Sequence, residues 1–548
     1  MMFGSEFSRF RETLSLFLVL LLFSFVLGCG GEETTESVRT GNDTGDTYHG
    51  QGDPDDSETD DDVAADDDVA SDDDAADDDV APEDFRIEVL PISAGNPLSR
   101  SIVVTTAEPM SLSARATTAG EPGYAPSFPS ASEWGTRHEF LLAGLIAEKT
   151  FEVEILDADD PSRVLATTEF ETSALPEHAP IMTVETYDKG AARPDRWALQ
   201  SLFELGGKLP VGVNGFITLY DRLGRLRYYH EVNVDDTQPG MVVFGVTPMS
   251  DGSFVYSCDN KLYRVDRAGG NSVYIDPQLG DEILEEIHHQ FYVDEASGQA
   301  AILYNERGPA YECDQTTLTQ EAVGDGIARV NMSGDVLWDW SAFDHQDVLS
   351  PVVPDVAMCV LQRSSFGDGV VDWTHANSVY PTDDNTALIV SIKNLSEVVK
   401  INAFTGEIIW QLGAGGDFTW QGSEPVLERW FWHQHDAKIL PNGNVLLFDN
   451  GNCRSGTCPW GPWSRALELA IDEENMTVRV VYEHRVKMAL AMGNADRLED
   501  GNTWIGSGAS KLSVEATPAG DEVWSAAIDA GYQSRSLAYP ALWVYPEE

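Results

Sequence analysis

The stretch 398–410 reads VVKINAFTGEIIW. Apolar positions alternate on either side of a Gly-bearing turn, and the segment closes on Trp410. Period-two alternation broken by turn residues is the signal of a β-hairpin. Five more segments share the form: ITLYDRLGRLRYY (217–229), LYRVDRAGGNSVY (262–274), IARVNMSGDVLW (327–338), LELAIDEENMTVRVVY (467–482) and LSVEATPAGDEVW (512–524). Each ends on Tyr or Trp. A turn and another apolar run stand in front of five of the six: SDGSFVYS at 250, ASGQAAILY at 296, TDDNTALIV at 382, LPNGNVLLF at 440 and LEDGNTWIG at 498. Each unit therefore supplies about four strands, and repeated four-stranded units describe propeller blades around a channel. The expectation is an all-β chain with a six-bladed β-propeller over residues 179–548. A pair of eight-stranded sandwiches is the competing arrangement.

Outward from the repeats, residues 85–178 alternate in short runs such as FRIEVLPI, SIVVTT and TFEVEILD, with Gly, Pro and Asn between them. This predicts a small N-terminal β-sandwich with nothing chemical in it. Residues 29–84 are a different material. From 31 to 85 there are 23 acidic side chains against Arg39 alone, and 60–81 reads DDDVAADDDVASDDDAADDDVA. Dense like charge without aromatics cannot collapse, so the expectation is a disordered, self-repelling tether. A calcium loop is the weaker reading, since the Asp triplets lack Gly turns and spaced ligands. Residues 1–28 place Arg9 and Arg11 before an apolar run from Leu14 to Leu27, the form of a secretory signal. Cys29 directly after Leu27-Gly28 resembles a bacterial lipobox. The chain is therefore expected to be exported and lipid-anchored through Cys29 to a bacterial membrane, facing periplasm or cell surface. The net charge of -58 excludes generic binding to nucleic acid or anionic lipid.

Three of the 11 histidines occupy one place in three successive repeats. His289 (HHQFYVD), His375 (DWTHANSVYP) and His435 (HQHDAKILPNGN) each stand eight to ten residues before the turn residue Gly298, Asn385 or Gly443. In a propeller that segment is the innermost strand, so the three imidazoles should converge at one mouth of the channel. A lone strand histidine is usually structural; three in register describe a site. Metal ligation by neutral imidazoles is one use, with His433, His435 and Asp436 as the cluster. No further carboxylate marks such a site, and no metal is expected. Nucleophilic catalysis with anion binding is the other use.

The strings DWTHANSVYP, SIKNLSEVVKINAFTGEIIW, HQHDAKILPNGNVLLFDNGN and SRALEL resemble the bacterial arylsulfate sulfotransferases. The resemblance spans about residues 90–548 and is densest from His375 to Arg465. It implies a six-bladed propeller that moves a sulfuryl group from an aryl sulfate to a phenol, with no cofactor and no nucleotide sulfate. By resemblance His435 is the nucleophile and becomes transiently sulfated. His375 and Asn377 match a His-x-Asn pair that contacts the sulfuryl oxygens. His289 matches the histidine of the earlier blade, with His288 as the neighbour one position off. The family carries an Arg where this chain has Lys393, which keeps the charge but not the two-pronged contact. Arg465 is assigned to substrate binding, with Arg454 as another cation that could reach in.

Of the cysteines after Cys29, Cys453 and Cys458 in NCRSGTC are close enough for a small-loop disulfide in an exported protein, and the family also carries one near this point. Cys258, Cys313 and Cys359 stay unpaired by sequence alone. Two other functions compete: a non-catalytic, surface-anchored ligand-binding propeller, and a quinone-dependent dehydrogenase, for which no calcium or ring-stacking features are found.

Overall fold

The computed structural model describes residues 85–91, 98–121, 127–129, 134–203, 213–233, 242–279, 287–309, 321–349, 370–454, 460–529 and 531–542. The signal segment, Cys29, the tether, Cys313, Cys359 and Cys458 lie outside them. The described chain is all-β: its helical segments are a single turn at Val426–Arg429 and two 3-10 turns.

Between Phe85 and Glu171 there are two sheets, one of three strands and one of four. Ile102, Val104 and Phe140 of the first meet Ala114, Val153 and Ile155 of the second in one core. The outward positions of Gly135–Leu142 and Thr150–Asp157 alternate with these buried ones, as expected of sheets with one wet face.

From Met182 onward six sheets follow in chain order, antiparallel except for two-residue parallel additions at Val371–Asp372 and Thr419–Trp420. The fourth is the plainest: Ala376–Pro381, Ala387–Ile392, Glu397–Asn402 and Ile408–Gly413, each beside the next. All six residues of Ala387–Ile392 are buried. Leu388, Val390 and Ile392 pack against the third sheet, while Ile389 packs against the fifth. The strand has two dry faces, which is why its sequence is a continuous apolar run rather than an alternation. Val445–Asp449 repeats this, with Val445 and Leu447 toward the fourth sheet and Leu446 and Phe448 toward the sixth. Such cores join every sheet to its successor. A further core joins the sixth to the first through Trp504, Trp524, Phe216 and Tyr220.

The ends of the chain complete this circuit. Met182–Tyr187 is the outer strand of the sixth sheet, paired with Glu522–Ile528. Tyr532–Pro540 is the inner strand of the first, paired with Arg196–Phe203. This explains why only five of the six repeats begin with a turn and strand. The first sheet takes its inner strand from the far end of the sequence, so no tight turn joins the two. The architecture is propeller-like.

Removing residues 531–548 strips the first sheet of its inner strand and uncovers Leu199 and Leu202. We expect the truncated protein to lose its single cooperative thermal transition, measured by calorimetry; an unchanged melting temperature would disprove the closure.

Candidate active site

Four of the six inner strands carry a register irregularity at the same end. The breaks fall between Phe244 and Thr247, Ala376 and Ser378, His435 and Lys438, and Gln533 and Arg535. A bulge leaves one residue out of the ladder and re-aims its side chain. The residues inside these breaks include Gly245, Asn377, Asp436 and Ser534, and all four line one axial cavity. His289, Gln290, His435, Met492, Gly493, Asn494 and Arg535 complete the wall, so every sheet contributes. The backbone is also kinked at this end. His289, His375 and His433 have φ of 57°, 51° and 53°, the left-handed region that bulky residues avoid. Gly493 sits at φ 119°, where a Cβ would meet the Phe448 ring at 2.4 Å.

The three imidazoles meet. The His289 ring centroid is 4.9 Å from that of His375 and 6.0 Å from that of His435, and Phe244 stacks on His289 at 5.1 Å. Each ring is held from behind. His435 Nδ1 lies 2.8 Å from Asn450 Oδ1. The Asn450 amide nitrogen donates to the carbonyls of Ala489 and Met492, so its oxygen is the end left to accept. His435 therefore carries its proton on Nδ1, and its Nε2 lone pair accepts the Met492 N–H at 3.2 Å. His375 Nδ1 lies 2.5 Å from Asp372 Oδ2. His289 Nδ1 lies 2.7 Å from Nδ1 of His288.

Burial dominates the electrostatics. It pushes His435 down to about 3, aided by the charge of Lys393, and does the same to His433. His289 is held well below its ordinary value by burial, then by the neighbouring histidines and Lys393. All three are neutral imidazoles at neutral pH. Burial also lowers Lys393, against the pull of Asp372 and Asp325. Burial alone would raise Asp372, but His375, Lys393 and Asn394 outweigh it and keep the carboxylate ionised. Lys393 donates to Asn394 Oδ1 at 3.1 Å, which uses one of its three hydrogens. The result is a set of buried, neutral rings at His289, His433 and His435 within the electrostatic reach of a buried Lys393.

The structure brings together His289, His375, His435, Asn377 and Lys393. It does not bring in Arg465. That guanidinium donates to Asp449, Glu483 and the carbonyls of Glu428 and Trp430, which spends its fork inside the fifth sheet. Arg454 is bound to the same Asp449 and stacks on Trp463. His375 and Asn377 do not reach the site from one face of a regular strand. His375 precedes the strand at positive φ, and Asn377 reaches the cavity through the bulge, donating to Gln434 O at 2.7 Å. Asp372, Asp325 and Asn450 are not among the residues read from sequence, and Asp436 is read there only as a candidate metal ligand; Asp372 three residues before His375 and Asn450 in DNGN are the visible signals. Cys453 lies on the same rim, beside Asn452, whose carbonyl is 3.4 Å from His433 Nδ1. Among the described residues no group of three or more His, Cys, Asp or Glu is placed to hold a metal ion.

The family model of arylsulfotransferases (ASST) matches residues 194–537. The chain belongs to the arylsulfotransferase family. Membership implies a sulfotransferase acting on small molecules. Among curated proteins, none matches the chain by sequence. Similar solved structures include a protein of unknown function from Bacteroides caccae, 14% identical, covering 63% of this chain and 98% of that one, TM-score 0.36. The periplasmic gluconolactonase of Pseudomonas aeruginosa is 10% identical over 63% and 98%, TM-score 0.34. A catalytically inactive virginiamycin B lyase from Staphylococcus aureus is 12% identical over 63% and 98%, TM-score 0.29. Similarity at this level says nothing of chemistry.

Replacing Arg465 by Met removes one partner of a fully buried carboxylate. The expected cost is about 3–5 kcal/mol in urea denaturation, with KM for any donor unchanged; a raised KM without lost stability would return Arg465 to the substrate.

Proposed function

We propose that this arylsulfotransferase-family chain moves a sulfuryl group from an aryl sulfate to a phenolic acceptor in two half-reactions, through a sulfated His435. The observation that carries the reading is the fixed tautomer of His435. Asn450 holds the proton on Nδ1, and Nε2 lies in a cavity shared with His289, Asn377 and Arg535. A neutral imidazole with an unprotonated Nε2 is a competent nucleophile. Attack requires Nε2 to give up the Met492 N–H, a loss of about 0.5–1.5 kcal/mol, small beside the barrier to sulfuryl transfer.

In the first half-reaction Nε2 forms a bond to sulfur, the ester S–O bond breaks, and a phenolate departs. In the second an acceptor phenol takes the sulfuryl group back from His435. The transition state is loose and anionic, so the protein mainly positions and stabilises, as in phosphoryl transfer. Lys393 has two hydrogens left for sulfuryl oxygens. His375, oriented by Asp372, offers Nε2, and Asn377 offers its remaining amide hydrogen. No nucleotide sulfate and no cofactor enters this scheme. A six-bladed propeller carried behind a small sandwich supplies the axis. Cys453 is proposed to pair with Cys458 and stiffen the rim. Export and lipid anchoring through Cys29 complete the proposal; no described helix is long and apolar enough to cross a membrane.

Wild-type protein given 4-nitrophenyl sulfate and phenol should release nitrophenolate and form phenyl sulfate, and His435→Ala should abolish both. Full activity in that variant would remove His435 as nucleophile. Quenching with donor alone should leave a sulfated peptide containing His435 by mass spectrometry.

The sign of the pH dependence follows from burial. A lowered value means the nucleophile stays unprotonated as the medium is acidified, until about pH 3. The acid limb of kcat/KM should therefore fall well below the ordinary imidazole value of about 6.5. A limb near that value would mean that His435 is solvated.

A further inference from the structure

Behind His289 lies a chain of buried groups that nucleophilic attack by His435 does not use. His288 Nδ1 is 2.7 Å from His289 Nδ1. On its far side His288 Nε2 is 3.0 Å from Asp325 Oδ1. Asp325 is fixed in turn. Its Oδ1 accepts from Asn305 Nδ2 at 3.0 Å, and its Oδ2 accepts from the Thr374 hydroxyl and the Ala376 N–H. Asn305 Nδ2 also lies 3.1 Å from His288 Nε2. Asp325, His288 and His289 are 2%, 4% and 6% exposed, so water does not compete for these contacts. Thr374 and Ala376 flank His375, so the carboxylate also ties this chain to the neighbouring sheet.

We propose that Asp325, His288 and His289 form a relay that stores one proton between the two half-reactions. Two nitrogens facing each other at hydrogen-bond distance need one proton between them. His288 Nε2 faces both the Asp325 carboxylate and the Asn305 amide nitrogen, and the relay assigns it a proton directed at the carboxylate. In the unloaded state His289 donates from Nδ1 to His288 Nδ1, and His289 Nε2 is a lone pair at the cavity. In the loaded state His288 carries both protons beside ionised Asp325, and His289 carries its proton on Nε2.

The bookkeeping closes over one cycle. When the donor ester breaks, His289 gives its Nε2 proton to the departing phenolate and takes the Nδ1 proton from His288. When the acceptor phenol attacks sulfo-His435, His289 Nε2 takes the phenolic proton and returns its Nδ1 proton to His288. One proton passes from acceptor to leaving group, and nothing else is consumed. The loaded state adds a positive charge while the anionic donor binds. The charge rests on His288, next to a carboxylate, rather than on His289 among two other rings and Lys393.

His288 and Asp325 act through His289 and touch no substrate; they are positioning residues. Their role has a signature that mere support of the fold lacks. A nitrophenolate leaves without help, whereas an unsubstituted phenolate, with a conjugate acid near 10, gains from protonation. His288→Gln should lower kcat/KM for phenyl sulfate about a hundredfold or more, and for 4-nitrophenyl sulfate less than about tenfold. Equal losses with both donors overturn the relay. Asp325→Asn, checked for a native melting curve, should show the same asymmetry. In wild-type protein with 15N-labelled histidine and no substrate, a ring proton should couple to nitrogens of both His288 and His289, and vanish in His288→Gln. The inference rests on the sulfuryl-transfer reading, but the two fail differently. Active protein that lacks the shared proton overturns the relay alone; protein that holds it yet turns over no aryl sulfate overturns both.

Discussion

The site exists because the two ends of the chain are pinned to opposite edges of neighbouring sheets. Met182–Tyr187 borders the sixth sheet and Tyr532–Pro540 lines the axis of the first. Each of these sheets is complete only when distant parts of the sequence have met. Such non-local pairing is slow to form, but it fixes all six inner strands at once. Ser534 and Arg535 arrive at the cavity on the last of these strands. Closure of the circuit and completion of the cavity wall are therefore the same event.

At the axis, space is scarce and water is largely excluded, and this sets the chemistry. A protonated histidine in such surroundings loses its hydration with little in return. The neutral form of His435 follows from burial more than from any one partner. Partners decide something else, namely which nitrogen is free. Asn450 answers for His435 and Asp372 for His375, each through a single hydrogen bond of 2.8 and 2.5 Å. The charged groups near the cavity obey the same rule. Asp436 and Arg535, both buried, and the half-buried Asp496 and Lys438 are drawn into one network with the Tyr380 hydroxyl, so none stands alone in low dielectric.

The sequence disclosed the repeat unit, because hairpins with aromatic ends recur and their turns contain Gly, Asn and Asp. It also disclosed the three histidines, because their distance from the next turn is nearly constant. It did not disclose the bulges. A bulge is a mismatch between two strands, and a single strand read alone shows no partner to mismatch. Asn377 was assigned by resemblance, and it enters the cavity through a break in the strand's alternation that its own sequence does not show. Arg465 was misplaced for a related reason. A cation near a motif looks available until its partners are known, and Asp449 and Glu483 lie on other strands of the same sheet. Asp325 was invisible in the same way, since 50 residues separate it from His375 in the chain, and only the pairing of sheets brings them together.

Lys393 shows what the family position requires. An arginine there would offer a planar fork to two oxygens. The described arginines near the motif do not restore the fork. Arg454 and Arg465 are committed to Asp449, and Arg535 is shared between Tyr380 and Asp436. What Lys393 keeps is charge at short range, felt by His289, His433 and His435 alike. An ammonium can follow oxygens that move as sulfur passes from one partner to the other, whereas a fork favours one fixed geometry. In the proposed reaction the same cation must serve the donor ester, the sulfated histidine and the acceptor ester in turn. A mobile point charge meets that demand at the cost of weaker orientation, and orientation is then left to Asn377 and to His375 on its carboxylate.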